Sequence, residues 1–318
     1  MFRESKNVFQ SPTELPENTR DNQVETLHKE LAGIKQHAIE SRQLIYDQRG
    51  NFEYALAPNG EKSNLDEKQW LEIRSSTFKE WFGNWERYSS LKDNTDRTEE
   101  ENVELSDLSP NVSKIVDENG EPTIAYHGTQ IEFDQFRGFD YKRHYKKYSG
   151  TYFGANKEKV FGPAGLEETQ EFADGKFKGT GKFQYQENIE RDLQMAEDFK
   201  RKYKQKHFFL LKKKYLKLYK NFRRRAREIK PTILDCYLRA TNPLMIDNMA
   251  NGRDGNYGPF ENDVLLAREN GFDAVIWNNT YDTSSTPGTV LNVFEPTQIK
   301  SAERNNGLFE KDNVHIYE

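Results

Sequence analysis

The sequence predicts an α+β fold in which a helical N-terminal module precedes a domain of short strands, and three observations lead there. Apolar residues recur at helical spacing up to about residue 88, and past residue 112 they gather into short β-branched and aromatic runs. A long, mostly helical and strongly basic segment interrupts those runs.

Residues 1–21, rich in Pro, Asn, Glu and Ser and without a period, read as a flexible tail. The helical module spans 22–91. Val24, Leu27, Leu31, Ile34, Ala38 and Leu44 share one stripe, with Asp21 as N-cap and Gly50 as stop, which predicts one helix over 22–48. A second helix opens at Asn64 or Asp66 and carries Trp70, Ile73, Phe78, Trp81, Phe82 and Trp85, a stripe read most simply as core. Residues 92–110, KDNTDRTEEENVELSDLSP, are acidic and turn-rich and read as a linker.

The remaining domain runs from 111 to 318. SKIVD and PTIAYHG flank Asn119-Gly120, a dipeptide that favours tight turns, and predict a β-hairpin over 113–127. SGTYFGA (149–155) is a strand, after which Asn156 caps a helix through KEKVF. ILDCYLRA (233–240), FDAVIWN (272–278) and TVLNVFE (289–295) are strands, and FENDVLLAREN is a short helix ended by Gly271. The insert covers about 165–231.

From Lys200 to Lys230 the insert has Glu228 as its only acidic residue, and Tyr203, Phe208, Phe209, Tyr215, Tyr219 and Phe222 interleave with the cations. One reading is a solvated helix with its rings on a core side. The other is a nucleic-acid surface, with Lys212, Lys213, Lys214, Arg223, Arg224, Arg225 and Arg227 meeting phosphates and the rings meeting bases. Packing against the acidic stretch Thr98 to Asp107 is the internal competitor.

Composition narrows the function classes. The 318 residues are 34% hydrophobic with a mean hydropathy of -1.00, which leaves little material for a large core. A net charge of -5 names no partner. The lone Cys236 excludes an intrachain disulfide framework, MFRESKNVFQ lacks a secretory apolar stretch, and no run is long enough for a membrane span. A soluble protein of a reducing compartment is expected. His28, His37, His127, His144, His207 and His315 show no metal-ligand spacing, so no metal is expected. GTGKF at 179–183 has Lys176 where a phosphate loop needs its first glycine and Phe183 where it needs Ser or Thr. No G-x-S-x-G elbow occurs.

The blocks SKIVDENGEPTIAYHGT, GTYFGANKE, TNPLMID, ARENGFDAVIWNN, VFEPTQIKSA and NNGLFEKDNVHIY, in that order, resemble the ADP-ribosyltransferase-like domains of polyvalent proteins of phages and conjugative elements. APNGEKSNLDEKQWLEIRSSTFKEWFGNWE is similar to a module that often precedes that domain. The resemblance covers about 58–90 and 111–318 without the insert. It implies the split antiparallel sheets of diphtheria-toxin-like and poly(ADP-ribose)polymerase-like transferases, with NAD as substrate in the cleft between them. That pattern has a His on the first strand, a Tyr on the second and an acidic residue at the start of a later one.

Carried over by motif, the His is His127 and the Tyr is Tyr152. His127 would hydrogen-bond a ribose hydroxyl, the main chain of Gly128 would pair the nicotinamide amide, Thr129 would add a hydroxyl, Tyr152 would offer its ring, and Phe161 would close the other side. Cleaving the nicotinamide C–N bond builds positive charge on the ribose, which a carboxylate stabilises. Val290 stands at that position here, and Thr289, Asn292, Glu295 and Gln298 are the nearest replacements. The implied function is mono-ADP-ribosylation of a host protein or nucleic acid in a bacterial cytoplasm. The alternatives are a catalytically weakened protein that binds nucleic acid or inhibits a host enzyme, and an NAD glycohydrolase.

Overall fold

The computed structural model describes residues 17–129, 133–136, 150–155, 180–205, 209–228, 232–249, 260–280 and 287–318. The chain forms two compact units. One holds the described residues up to Pro122 together with Arg304–Glu318, and the other runs from Thr123 to Glu303. These compact units divide at 122/123, and the final segment belongs to the first unit.

In the first unit α1 (Glu17–Glu40) includes Asp21, the expected cap, and ends well before residue 48; the rest of the expected tail, up to residue 16, lies outside the described residues. Arg42 turns the chain at φ 57, and β1 (Leu44–Tyr46) pairs antiparallel with β2 (Phe52–Ala55). Asp47 closes this hairpin by accepting from the Arg49 and Asn51 amides, both at 2.8 Å. Gly50 (φ 82) serves that turn and does not stop a helix.

The expected second helix is three: α2 (Glu67–Glu72), α3 (Ser76–Phe82) and α4 (Trp85–Asp93). Asp66 and Gln69 form a capping box at the first. Ser75 accepts from the Phe78 amide and so starts another. Gly83, at φ 98, breaks the chain again where an added Cβ would meet the Asn111 carbonyl at 2.5 Å. The aromatic stripe is core, with Trp70, Phe78, Trp81, Phe82 and Trp85 no more than 1% exposed.

The expected acidic linker is also helical. Thr98 and Glu101 form a capping box at the start of α5 (Glu99–Leu108), and three glutamates in its first turn suit the positive end of the helix. Of the expected hairpin over 113–127 only the bridge Val116↔Pro122 forms, around Gly120 at φ 76.

The second unit is built from β3 (Ile124–Thr129), β4 (Thr151–Gly154), α6 (Thr180–Gln205), α7 (Phe209–Glu228), β5 (Thr232–Leu238), β6 (Pro243–Asp247), α8 (Phe260–Glu269), β7 (Ala274–Thr280), β8 (Gly288–Val293) and β9 (Ile299–Ser301). The seven strands make one mixed sheet in the order β6-β7-β8-β4-β3-β5-β9. β6 and β7 are parallel because the chain returns through α8, and the other neighbours are antiparallel. Among the described residues β3 and β4 share the one pair Tyr126↔Gly154, whereas β3 and β5 share six and β4 and β8 share four. The sheet is therefore weakest between β3 and β4.

Beneath α8, Val264 and Ala267 pack on Val275, Trp277, Val290 and Phe294. In the insert, Phe199 of α6 stacks on Tyr215 and Phe222 of α7 at 6.0 and 5.6 Å, so these rings are spent between the two helices. The helix expected after Asn156 lies outside the described residues.

Candidate functional site

His127 lies on β3 at the weakest seam of the sheet. Its Nδ1 stands 2.9 Å from the Tyr152 carbonyl oxygen on β4, and a carbonyl only accepts, so Nδ1 carries the proton and donates. Nε2 is then the acceptor nitrogen of the neutral ring. Burial holds the imidazole pKa below its ordinary value, and the bond to the Tyr152 carbonyl opposes that shift. Phe136, Phe153 and Phe133 surround the ring at centroid distances of 5.1, 5.4 and 6.2 Å. Phe153 belongs to the GTYFG block, but Phe133 and Phe136 escaped the sequence reading although FDQF closely follows HGT.

Strand alternation then sorts the side chains. Tyr126 pairs with Gly154, so His127 and Phe153 share one face of the ladder while Tyr152 projects from the other. On that other face Tyr152 pairs with Asn292, and its half-buried ring stacks on Trp277 at 6.0 Å and 12°. His127 thus meets Tyr152 through the main chain. Gly128 and Thr129 follow His127 along β3, opposite Ile233 and Thr232. Phe161 lies outside the described residues.

The four residues weighed against the missing acid have different surroundings. Val290 is 2% exposed within the apolar cluster under α8. Asn292 is fully buried, and neither its Oδ1 nor its Nδ2 has a hydrogen-bond partner. A buried amide left so costs about 1–3 kcal/mol per group. Gly150, at φ 104, leaves room for it, because an added Cβ would collide with the Asn292 side chain. Thr289 donates to the Asn278 carbonyl oxygen of the side chain at 3.0 Å. Glu295 is exposed and lies 3.7 Å from Arg268.

Gln298 is fully occupied. Its Oε1 accepts from the Phe294 and Glu295 amides at 2.9 and 2.8 Å, and its Nε2 donates to the Arg239 and Asp273 carbonyls at 2.8 and 3.0 Å. It ties the strand ends together and has no amide hydrogen left for a substrate.

On the insert, Lys213, Lys214, Arg223 and Arg224 are exposed on α7, whereas the side chains of Lys212, Arg225 and Arg227 lie outside the described residues. Among the described residues no group of three or more His, Cys, Asp or Glu could hold a metal ion, and no helix is long and apolar enough to cross a membrane. Comparison with known proteins found no matching family model, no matching curated protein and no matching solved structure.

Proposed function

We propose that the unit Thr123–Glu303 is an ADP-ribosyltransferase-like domain that binds NAD at the seam between β3 and β4. The observation that carries this reading is the His127 arrangement. The imidazole sits where two neighbouring strands share one pair, its Nδ1–H is committed to the Tyr152 carbonyl, and Nε2 is set as an acceptor. A ribose hydroxyl donating to Nε2 fits that tautomer. Gly128, next along the strand, lets a ligand amide approach the backbone. The resemblance supplies the identity of the ligand; His127 on the first strand of the unit supports it, whereas the Tyr152 ring, on the opposite face against Trp277, does not stand beside His127 as the resemblance implies.

Val290 favours a second reading, a protein that binds NAD or a target while turning over slowly. A general acid or base contributes about two to four decades of rate. A glutamate introduced at 290 would enter the apolar cluster beside Trp277 as an unpaired buried charge. Restoring the acid by that substitution would therefore cost the fold.

Incubation of the protein with NAD labelled in its adenylate part, in a bacterial lysate, tests the reading. Label on protein or nucleic acid is the expected result for a transferase. Free nicotinamide with unattached ADP-ribose would assign water as acceptor, and unchanged NAD would leave only the binding reading.

A further inference from the structure

The first unit carries a cavity of about 750 Å³ unrelated to the β3–β4 seam. Leu27 and Leu31 of α1, Phe52 of β2 and Leu71 of α2 give it an apolar wall, and Glu72 at the end of α2 also lines it. Glu72 is 5% exposed. Its Oε1 lies 3.3 Å from the Lys68 Nζ, while its Oε2 is buried and has no hydrogen-bond partner. A buried carboxylate oxygen in that condition is costly, and a ligand that donates to it recovers the cost. Asp66 and Glu67 line the same cavity with His28 on the α1 side; Glu67 is paired with Lys35 at 2.5 Å and Asp66 caps α2, so with Lys68 the three carboxylates exceed the lysines by one.

We propose that this cavity binds a small organic cation with an apolar body, an alkylguanidinium, whose N–H groups donate to Glu72 while its alkyl chain lies along Phe52 and the leucines. The unpaired oxygen calls for a donor, and the excess of carboxylates calls for positive charge. A guanidinium is also more weakly hydrated than an ammonium, so it enters an apolar wall at lower cost. The chain length suits the wall more than the charge does, which makes a neutral ligand of the same shape the informative control.

Burial pushes the Glu72 carboxyl up to about 7, Lys68 opposing this and Asp66 adding to it. Only the ionised form holds the cation, so affinity should follow that ionisation. Between about pH 6 and about pH 8 such a carboxyl goes from roughly a tenth to roughly nine-tenths ionised, so binding should tighten about tenfold. His28 lines the same cavity, so His28→Gln is the control that should keep the contrast if Glu72 is its source.

The test is calorimetry on the full chain with n-butylguanidinium and its neutral analogue n-butylurea. The expected result is saturable n-butylguanidinium binding, about tenfold tighter at the higher pH in both the parent and His28→Gln. n-Butylurea should bind at least about tenfold more weakly, the scale of one hydrogen bond to a charged group. Glu72→Gln should abolish the preference for the cation, and Phe52→Ala, on the half-buried strand face, should weaken binding severalfold with circular dichroism unchanged. Absence of saturable binding, equal binding of the two ligands, or loss of the pH contrast in His28→Gln would each overturn the proposal. If Glu72→Gln does not fold, the ligand pair, the pH contrast and Phe52→Ala decide the matter.

Discussion

Gln298, one of the candidates near the missing acid, holds another task in the fold. Its side chain satisfies the amides of Phe294 and Glu295 and the carbonyls of Arg239 and Asp273. Gln298→Ala leaves those four main-chain groups without their partner and is expected to destabilise the protein by about 3 kcal/mol in chemical denaturation. No sequence signal reveals this, because two of the partners are distant along the chain. Glu72 was hidden for a related reason. A single long helix would turn it to solvent, whereas the break at Ser75 leaves it buried. Folded Glu72 keeps its proton up to about pH 7, against an ordinary value of 4.5. Folding therefore takes up a proton between these values, and the associated stability is complete below about 4.5 and lost as pH rises through about 7. Glu72→Gln removes that dependence, so urea denaturation should show the variant gaining on the parent by roughly 2–3 kcal/mol between acid and pH 8. A parent whose stability does not fall on that side would contradict the burial of Glu72. His127, by contrast, was legible from its place straight after a strand-like run, although the three rings around it were not.

At the scale of elements, the periodic stripe announced which residues are core but not where the helices break. Ser75 and Gly83 interrupt the backbone while Trp70, Phe78, Trp81 and Trp85 keep their spacing, so period alone extends the helix through both breaks. Arg74 fixes this arrangement from inside. Its guanidinium lies 3.5 Å from the Trp70 ring centroid and 3.0 Å from Glu121 Oε1, and Glu121 Oε2 accepts from Ser63 at 2.5 Å. Arg74→Met leaves the buried Glu121 carboxylate with Ser63 but without its counter-charge and should cost about 3–5 kcal/mol in thermal or urea unfolding. The acidic stretch could have been recognised as a helix from Thr98-x-x-Glu101, since that spacing is a capping box, but its low apolar content drew it toward a linker reading. The insert was legible as helical and basic. Tyr215 and Phe222 are stacked on Phe199 between α6 and α7, so these two rings do not form part of a surface for a polyanion, whereas Lys213, Lys214, Arg223 and Arg224 are exposed. If Lys213, Lys214, Arg223 and Arg224 meet phosphates, replacing them by Gln should flatten the slope of log affinity against log salt by about 3 to 4 for duplex DNA. A slope unchanged by those substitutions would exclude this face.

The whole molecule holds what sequence periodicity reaches least. Arg304–Glu318 returns to the first unit, where Phe309 packs edge-on against Phe78 at 4.9 Å and Thr77 donates to the Gly307 carbonyl at 2.7 Å. Local pattern cannot announce a pairing across more than two hundred residues. The sheet order is likewise a long-range fact, for β4 pairs on one side with β8, a strand separated from it in the chain by the insert and by the crossover through α8. β3, β4, β5, β7 and β8 were nevertheless visible as β-branched and aromatic runs, because burial on the sheet demands those residue types, whereas β6 (PLMID) and β9 (IKS) carry too few of them to announce a strand. What joins the fold to the proposed chemistry is the seam between β3 and β4 and the histidine that spans it. Calorimetric titration of NAD into the full chain tests that claim most directly. The account predicts saturable binding, weakened by about 1–3 kcal/mol in a folded His127→Ala variant and unaltered by substitution of Lys213, Lys214, Arg223 and Arg224. An absence of NAD binding by the parent, or affinity that ignores His127→Ala, would contradict it.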